Sequence, residues 1–194
     1  MVFIPLSLDI ETSTSDPNTG TILSLGIIRF DTGETKYWNI RHELLSVSPQ
    51  AMAVNQIPVT ELNSPERKTL FTVDKEFREF VASIKPLRCI PMGMNVGSFD
   101  MSFVHKYLPK AANDIGYRSL DLNSLIFARA YADKKDFMDV KRRVQKAAYE
   151  FAKQRAPDLS KHHALFDCYM NCYVFYELTG ERPEWFGPIN PVAI

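Results

Sequence analysis

Apolar residues open the chain in a run, Val2-Phe3-Ile4-Pro5-Leu6, and then alternate with polar ones through Ser7-Leu8-Asp9-Ile10-Glu11-Thr12. The pattern predicts a buried strand over Val2–Ile10 that ends in two carboxylates, Asp9 and Glu11. Alternation places both acids on one face and Leu8 with Ile10 on the other. After the turn-rich "TSTSDPNTG", the β-branched stretch Thr21–Phe30 predicts a second strand. "DTGE" then turns the chain into a third, Thr35–Arg41.

The period changes beyond that antiparallel opening. "SPQAMAV" predicts a short helix capped by Ser48 with Pro49 at its first position, and Phe77, Phe80, Val81 and Ile84 mark a helix over Thr72–Ile84. "LRCIPMGMN" is short and almost continuously apolar, the signature of a strand covered on both faces. "GSFDMSFVHKYLPK" starts a helix after it, a short strand is expected near Arg118–Leu120, and Asp121 is placed to cap the helix "DLNSLIFARAYA". Helical spacing returns over Lys135–Gln154 and His163–Leu178. Three antiparallel strands followed by strands alternating with helices predict an α/β fold, a mixed sheet flanked by helices. Asp9 and Glu11 then fall at the end of a central strand, where such sheets gather ligands.

Composition narrows the class. The 194 residues suit one well-cored domain, and 45% hydrophobic with 24% charged residues is an ordinary globular balance. We expect a domain over 1–180 and a proline-rich tail over 181–194. The 23 basic and 23 acidic residues cancel, so any anionic partner must be gripped locally. Cys89, Cys168 and Cys172 form no paired framework and suit buried thiols in a reducing, cytoplasmic setting. No segment resembles a signal peptide or reaches the 18 apolar residues of a membrane span.

The two carboxylates at the first strand's end repel by about 3 kcal/mol at an effective dielectric of about 20, so something must offset that charge. Two further stretches could face them. Asp100 lies just inside the helix after the fourth strand, and Asp167 lies one turn into the last helix, after the adjacent His162 and His163. Four carboxylates and a histidine can converge.

In that order, Asp-x-Glu-Thr, Asn-x-x-x-Phe-Asp and His-x-Ala-x-x-Asp resemble the three motifs of the DEDDh 3′-to-5′ exonucleases, the DnaQ-like superfamily that includes proofreading subunits, ribonuclease T and oligoribonuclease. The resemblance spans Leu8–Cys168. It implies an RNase H-like fold with a central five-stranded mixed sheet, three strands antiparallel and two parallel. It further implies two divalent ions, Mg²⁺ or Mn²⁺, held by Asp9, Glu11 and Asp167, with Asp100 acting through coordinated water. Hard ions favour such oxygen ligands, and a pair of them suits phosphodiester hydrolysis.

A histidine would take the proton from the attacking water. The motif spacing selects His162. Were the helix to begin earlier, His163 and Asp167 would share a face; the resemblance places the base in the loop before the helix, which keeps His162 first and His163 as the alternative. Thr12 and Asn95 match positions that seat the terminal nucleotide in the family. His42 and His105 fall in no motif, and capping accounts for Asp121.

The expected activity is removal of nucleoside 5′-monophosphates from the free 3′ end of single-stranded DNA or RNA. Two features offer further contacts. Asp133–Lys146 holds six basic residues, with Arg142 and Lys146 on one helical face available to phosphates or to solvent. The tail, expected to be extended and carrying Trp185 and Phe186, could pack on its own domain or dock a partner such as a polymerase. In that second reading the chain is chiefly a binding module with secondary nuclease activity.

Overall fold

A computed structural model describes residues 3–43 and 46–188. Its elements are β1 (Phe3–Thr12), β2 (Ile22–Arg29), β3 (Thr35–Asn39), α1 (Pro49–Asn55), α2 (Leu70–Ser83), β4 (Arg88–Gly93), α3 (Asp100–Tyr107), α4 (Pro109–Ile115), β5 (Leu120–Asp121), α5 (Leu122–Ala132), α6 (Phe137–Arg155) and α7 (Ala164–Thr179). One five-stranded sheet runs in the order β3-β2-β1-β4-β5. β2 pairs antiparallel with β1 and β3, whereas β4 pairs parallel with β1 and β5. This is the expected mixed sheet, three strands antiparallel and then two parallel, with β1 in the centre.

Alternation along β1 assigns its two faces. Leu6, Leu8 and Ile10 are buried in a cluster with Val73, Phe77 and Phe103 from α2 and α3. The opposite face carries Ser7, Asp9 and Glu11 toward α7, where the Ser7 hydroxyl donates to the Cys168 carbonyl at 2.9 Å. α5, α6 and α7 build the second core with Phe151, Phe166 and Val174. The sheet is therefore covered on both faces. Burying a large side chain such as Phe77 or Phe166 contributes about 1.5–3 kcal/mol, and this central packing leaves β1 little freedom to shift.

Four expectations change in detail. β1 continues through the carboxylates to Thr12, because Asp9 and Glu11 stay in register with Gly26 and Ser24 of β2. The helix expected through Lys110 is two: α3 ends at Tyr107 and Pro109 opens α4, since proline has no amide to continue the ladder. The strand near Arg118 is the two-residue β5, whose Asp121 caps α5 by accepting from Ser124 N at 3.1 Å. The tail is not extended at Glu184–Phe186, which form a 3₁₀ turn. There Phe186 is fully buried and Trp185 Nε1 donates to the Phe30 carbonyl at 2.7 Å. Aromatic burial against Phe30, Phe151 and Tyr176 outweighs extension. Val2 at the start of the first strand, and residues 189–194 of the tail, lie outside the described residues.

Candidate active site

β1 delivers Asp9 and Glu11 to the edge of the sheet where β4 and β5 also end. α7 delivers Asp167 in its first turn, where the helix dipole favours a negative charge. One carboxylate oxygen from each of Asp9, Glu11 and Asp167 lies within 4.8 Å of the other two. Asp100, the first residue of α3, is buried beside them, and its Oδ1 accepts from Ile10 N at 3.2 Å. The four acids predicted from separate stretches therefore converge.

α7 approaches this edge closely because β2 carries Gly26 opposite Asp9. A Cβ at Gly26 would lie 2.7 Å from Ala164 C and Leu165 N. Any larger residue would push away the helix that carries Asp167. Cys168, the next residue, is buried with its Sγ–H donating to the Gly26 carbonyl at 3.2 Å, and burial together with the nearby Asp9 and Asp167 charges pushes its thiol pKa up.

The two histidines separate by geometry. His162 lies before the helix with φ 66°, and its backbone amide donates to Asp167 Oδ2 at 3.1 Å. With the three carboxylates it lines a cavity of about 380 Å³. His163 is the N-cap residue of α7; its ring stacks on Tyr37 at 4.4 Å between centroids. His163 lines a neighbouring groove but not this cavity.

The cavity is also lined by Phe99 and by Gln50, Ala51 and Val54 of α1. Thr12 also lines it. Buried Asn55 ties the wall down: its Nδ2 donates to the Thr12 carbonyl at 3.1 Å and its Oδ1 accepts from Ile57 N at 3.0 Å. Asn95 is not among the cavity-lining residues. It holds φ 58° in the β4–α3 connection, and its Oδ1 accepts from Asn123 Nδ2 at 2.9 Å. The α1 wall and Gly26 were not singled out from sequence. The Ser48–Pro49 start revealed a helix but not what it covers, and Gly26 read only as part of a strand.

The electrostatics have one cause in common. Burial holds Asp9 well above the usual carboxylate range, reinforced by the charges of Asp100, Asp167 and Glu11. Glu11 is pushed up to about 8 by burial and then by Asp167 and Asp100. Asp100 is pushed up to about 7 by burial, against the opposing effect of its backbone hydrogen bonds. Burial also raises Asp167, while the nearby His162 and Lys161 charges act in the other direction. A set of buried carboxylates this close ionises together only with positive charge among them. All the donors are hard oxygens, which fits Mg²⁺ or Mn²⁺. His42 and His105 lie elsewhere: His42 Nε2 contacts the Ile22 carbonyl at 2.8 Å, and His105 sits in the last turn of α3.

No protein-family model and no curated protein matches the sequence. Solved structures do match. Exonuclease I of E. coli, in complex with a 5cy-dT13 oligonucleotide, superposes with TM-score 0.63 at 17% identity over 96% of this chain and 42% of that one. A product-bound exonuclease I gives TM-score 0.65 at 14% identity, over 96% of this chain and 45% of that one. The zinc-bound form of the E. coli exonuclease I complex with single-stranded DNA gives 0.62 at 15%, over 93% and 42%. The chain shares the fold of exonuclease I. It spans less than half of that protein's length.

Proposed function

We propose that this chain is a metal-dependent 3′-to-5′ exonuclease acting on single-stranded nucleic acid and releasing nucleoside 5′-monophosphates. The observation that carries the reading is the placement of Asp9, Glu11 and Asp167 within 4.8 Å of one another, with His162 in the same cavity wall. The DNA-bound exonuclease I structures support DNA as a substrate.

Asp9, Glu11 and Asp167 would hold two divalent ions, with Asp100 completing the set from behind. Such ions supply charge neutralisation at the attacking and leaving oxygens of the phosphodiester. The chain's own residues perform the remaining tasks. His162 takes a proton from the attacking water, a role suited to an imidazole at neutral pH. Phe99, Ala51 and Val54 offer an apolar surface for the terminal base, while Thr12 and Gln50 offer polar atoms to its sugar edge. Asn55 holds Thr12 and the α1 wall at a constant distance from the acids.

The test is degradation of 5′-labelled single strands, DNA and RNA in parallel, with free or blocked 3′ ends, in Mg²⁺ or Mn²⁺. Stepwise loss from free ends only, abolished by Asp9→Ala, supports the proposal. Intact strands under every condition refute it.

A further inference from the structure

α5 starts at the candidate active edge and presents an unusual surface. Its first residues follow β5, whose Asp121 lies close enough to Asp100 to raise that carboxyl, and Asn123 bonds across to Asn95. From there Asn123, Phe127 and Tyr131 follow at steps of four, which places them along one helical face. Along a helix that ladder spans about 12 Å. Phe127 is 59% exposed and Tyr131 79% exposed. Their rings are nearly parallel, 21° apart in plane with centroids 6.4 Å apart, and the half-buried Phe137 of α6 lies 6.1 Å from Phe127 with its plane tilted by 57°.

The charges around this row are asymmetric. Asp133 pairs with Arg129 at 2.9 Å, Asp139 pairs with Arg142 at 2.6 Å, and Asp136 caps α6 by accepting from Asp139 N at 3.0 Å. Lys134, Lys135 and Lys141 have no ion-pair partner among the described residues, and Lys141 Nζ lies 5.7 Å from the Phe137 ring centroid. The patch thus combines two exposed rings and one half-buried ring with ammonium groups outside any ion pair, in a chain of zero net charge. Arg142, whose helical face the sequence left open to phosphates or to solvent, pairs with Asp139 on the surface.

We propose that Phe127, Tyr131 and Phe137, flanked by Lys134, Lys135 and Lys141, form a stacking track for the upstream nucleotides of the single strand whose 3′ end enters the cavity. Bases stack on aromatic faces without regard to sequence, and ammonium groups beside them take phosphates. Ring spacing above 6 Å suits an extended strand better than a duplex, whose stacked bases repeat at about 3.4 Å. The inference rests on the exonuclease reading and extends it: the chain would favour strands long enough to reach the track over dinucleotides.

The experiment pairs binding with turnover. Anisotropy of a labelled twelve-residue oligothymidylate is measured in EDTA, and hydrolysis of the same strand and of a dinucleotide is followed in Mg²⁺. Phe127→Ala/Tyr131→Ala is expected to weaken twelve-mer binding at least about tenfold and to raise its KM, with dinucleotide kinetics unchanged. Tyr131→Phe should bind as wild type. Lys134→Ala/Lys135→Ala/Lys141→Ala should flatten the salt dependence by about 0.7 for each phosphate that no longer has an ammonium partner.

Unchanged twelve-mer affinity in the aromatic double variant overturns the track, and so does failure of the wild-type chain to bind the twelve-mer. Self-association that the same variant abolishes, with strand affinity intact, would assign the face to a second copy and also overturn it. Hydrolysis of the dinucleotide by the wild type keeps the exonuclease reading standing in each of these cases. Twelve-mer binding without any hydrolysis would instead defeat that reading while leaving the track supported.

Discussion

The backbone amide of His162 donates to Asp167 Oδ2 at 3.1 Å. One carboxylate oxygen therefore fixes the turn that presents the histidine, and the same carboxylate faces Asp9 and Glu11. The candidate base and a candidate metal ligand are a single unit at the start of α7. Whatever moves that helix end moves both.

The geometry distinguishes the two histidines in a measurable way. His162→Ala should lower kcat by about 10²–10⁴ with the fold intact, because the ring lines the cavity without sitting in the core. His163→Ala should keep most activity and lose the Tyr37 stack, a modest stability effect of about 0.5–1.5 kcal/mol. Steady-state kinetics with thermal melts of both variants decide the matter, and the opposite pattern in kcat would transfer the role to His163.

Gly26 is where β2 admits α7. Gly26→Ala introduces a Cβ 2.7 Å from Ala164 and Leu165 backbone atoms that cannot swing aside. Overpacking of this kind costs about 1–3 kcal/mol, and the displaced helix end carries Asp167 away from Asp9. Urea denaturation should show the loss, and activity should fall more than the unfolded fraction explains. Wild-type stability and activity would show that α7 yields freely.

Metal and pH should be linked through the buried acids. Glu11 at about 8 and Asp100 at about 7, against ordinary values of 4.5 and 3.8, mean that the folded, metal-free chain binds protons more tightly than the unfolded chain. Their contribution to stability is present below about pH 4 and is lost as pH rises to about 8. Mg²⁺ or Mn²⁺ binds the deprotonated set, so its stabilisation should be larger at pH 8 than at pH 5. Calorimetric melts in EDTA and in metal across that range provide the check. Equal metal-induced shifts at both pH values would contradict the linkage.

Asn55 connects the cavity wall to β1 through its bond to the Thr12 carbonyl. Asn55→Ala should cost about 1–3 kcal/mol by leaving a buried carbonyl without its partner. It should also raise KM more than it lowers kcat, because the residue shapes the proposed substrate cavity and hydrogen-bonds to Thr12 and Ile57, not to the acids. A loss confined to kcat would place Asn55 nearer the chemistry than its contacts suggest.

Much of this site was legible in the chain. Alternation through Leu8, Asp9, Ile10 and Glu11 determined that the two acids share a face, because a strand's period of two allows nothing else. The order of strands and helices determined a mixed sheet with β1 inside, and the motif spacing marked Asp100, His162 and Asp167. The tertiary structure alone decided what those side chains meet. Gly26 matters only because α7 crosses it, Asn55 only because α1 folds over Thr12, and Phe127 with Tyr131 only because no described element covers them. Local sequence periodicity records which face a residue occupies. The identity of the neighbour depends on packing between segments distant in sequence, and that is set when the whole core closes.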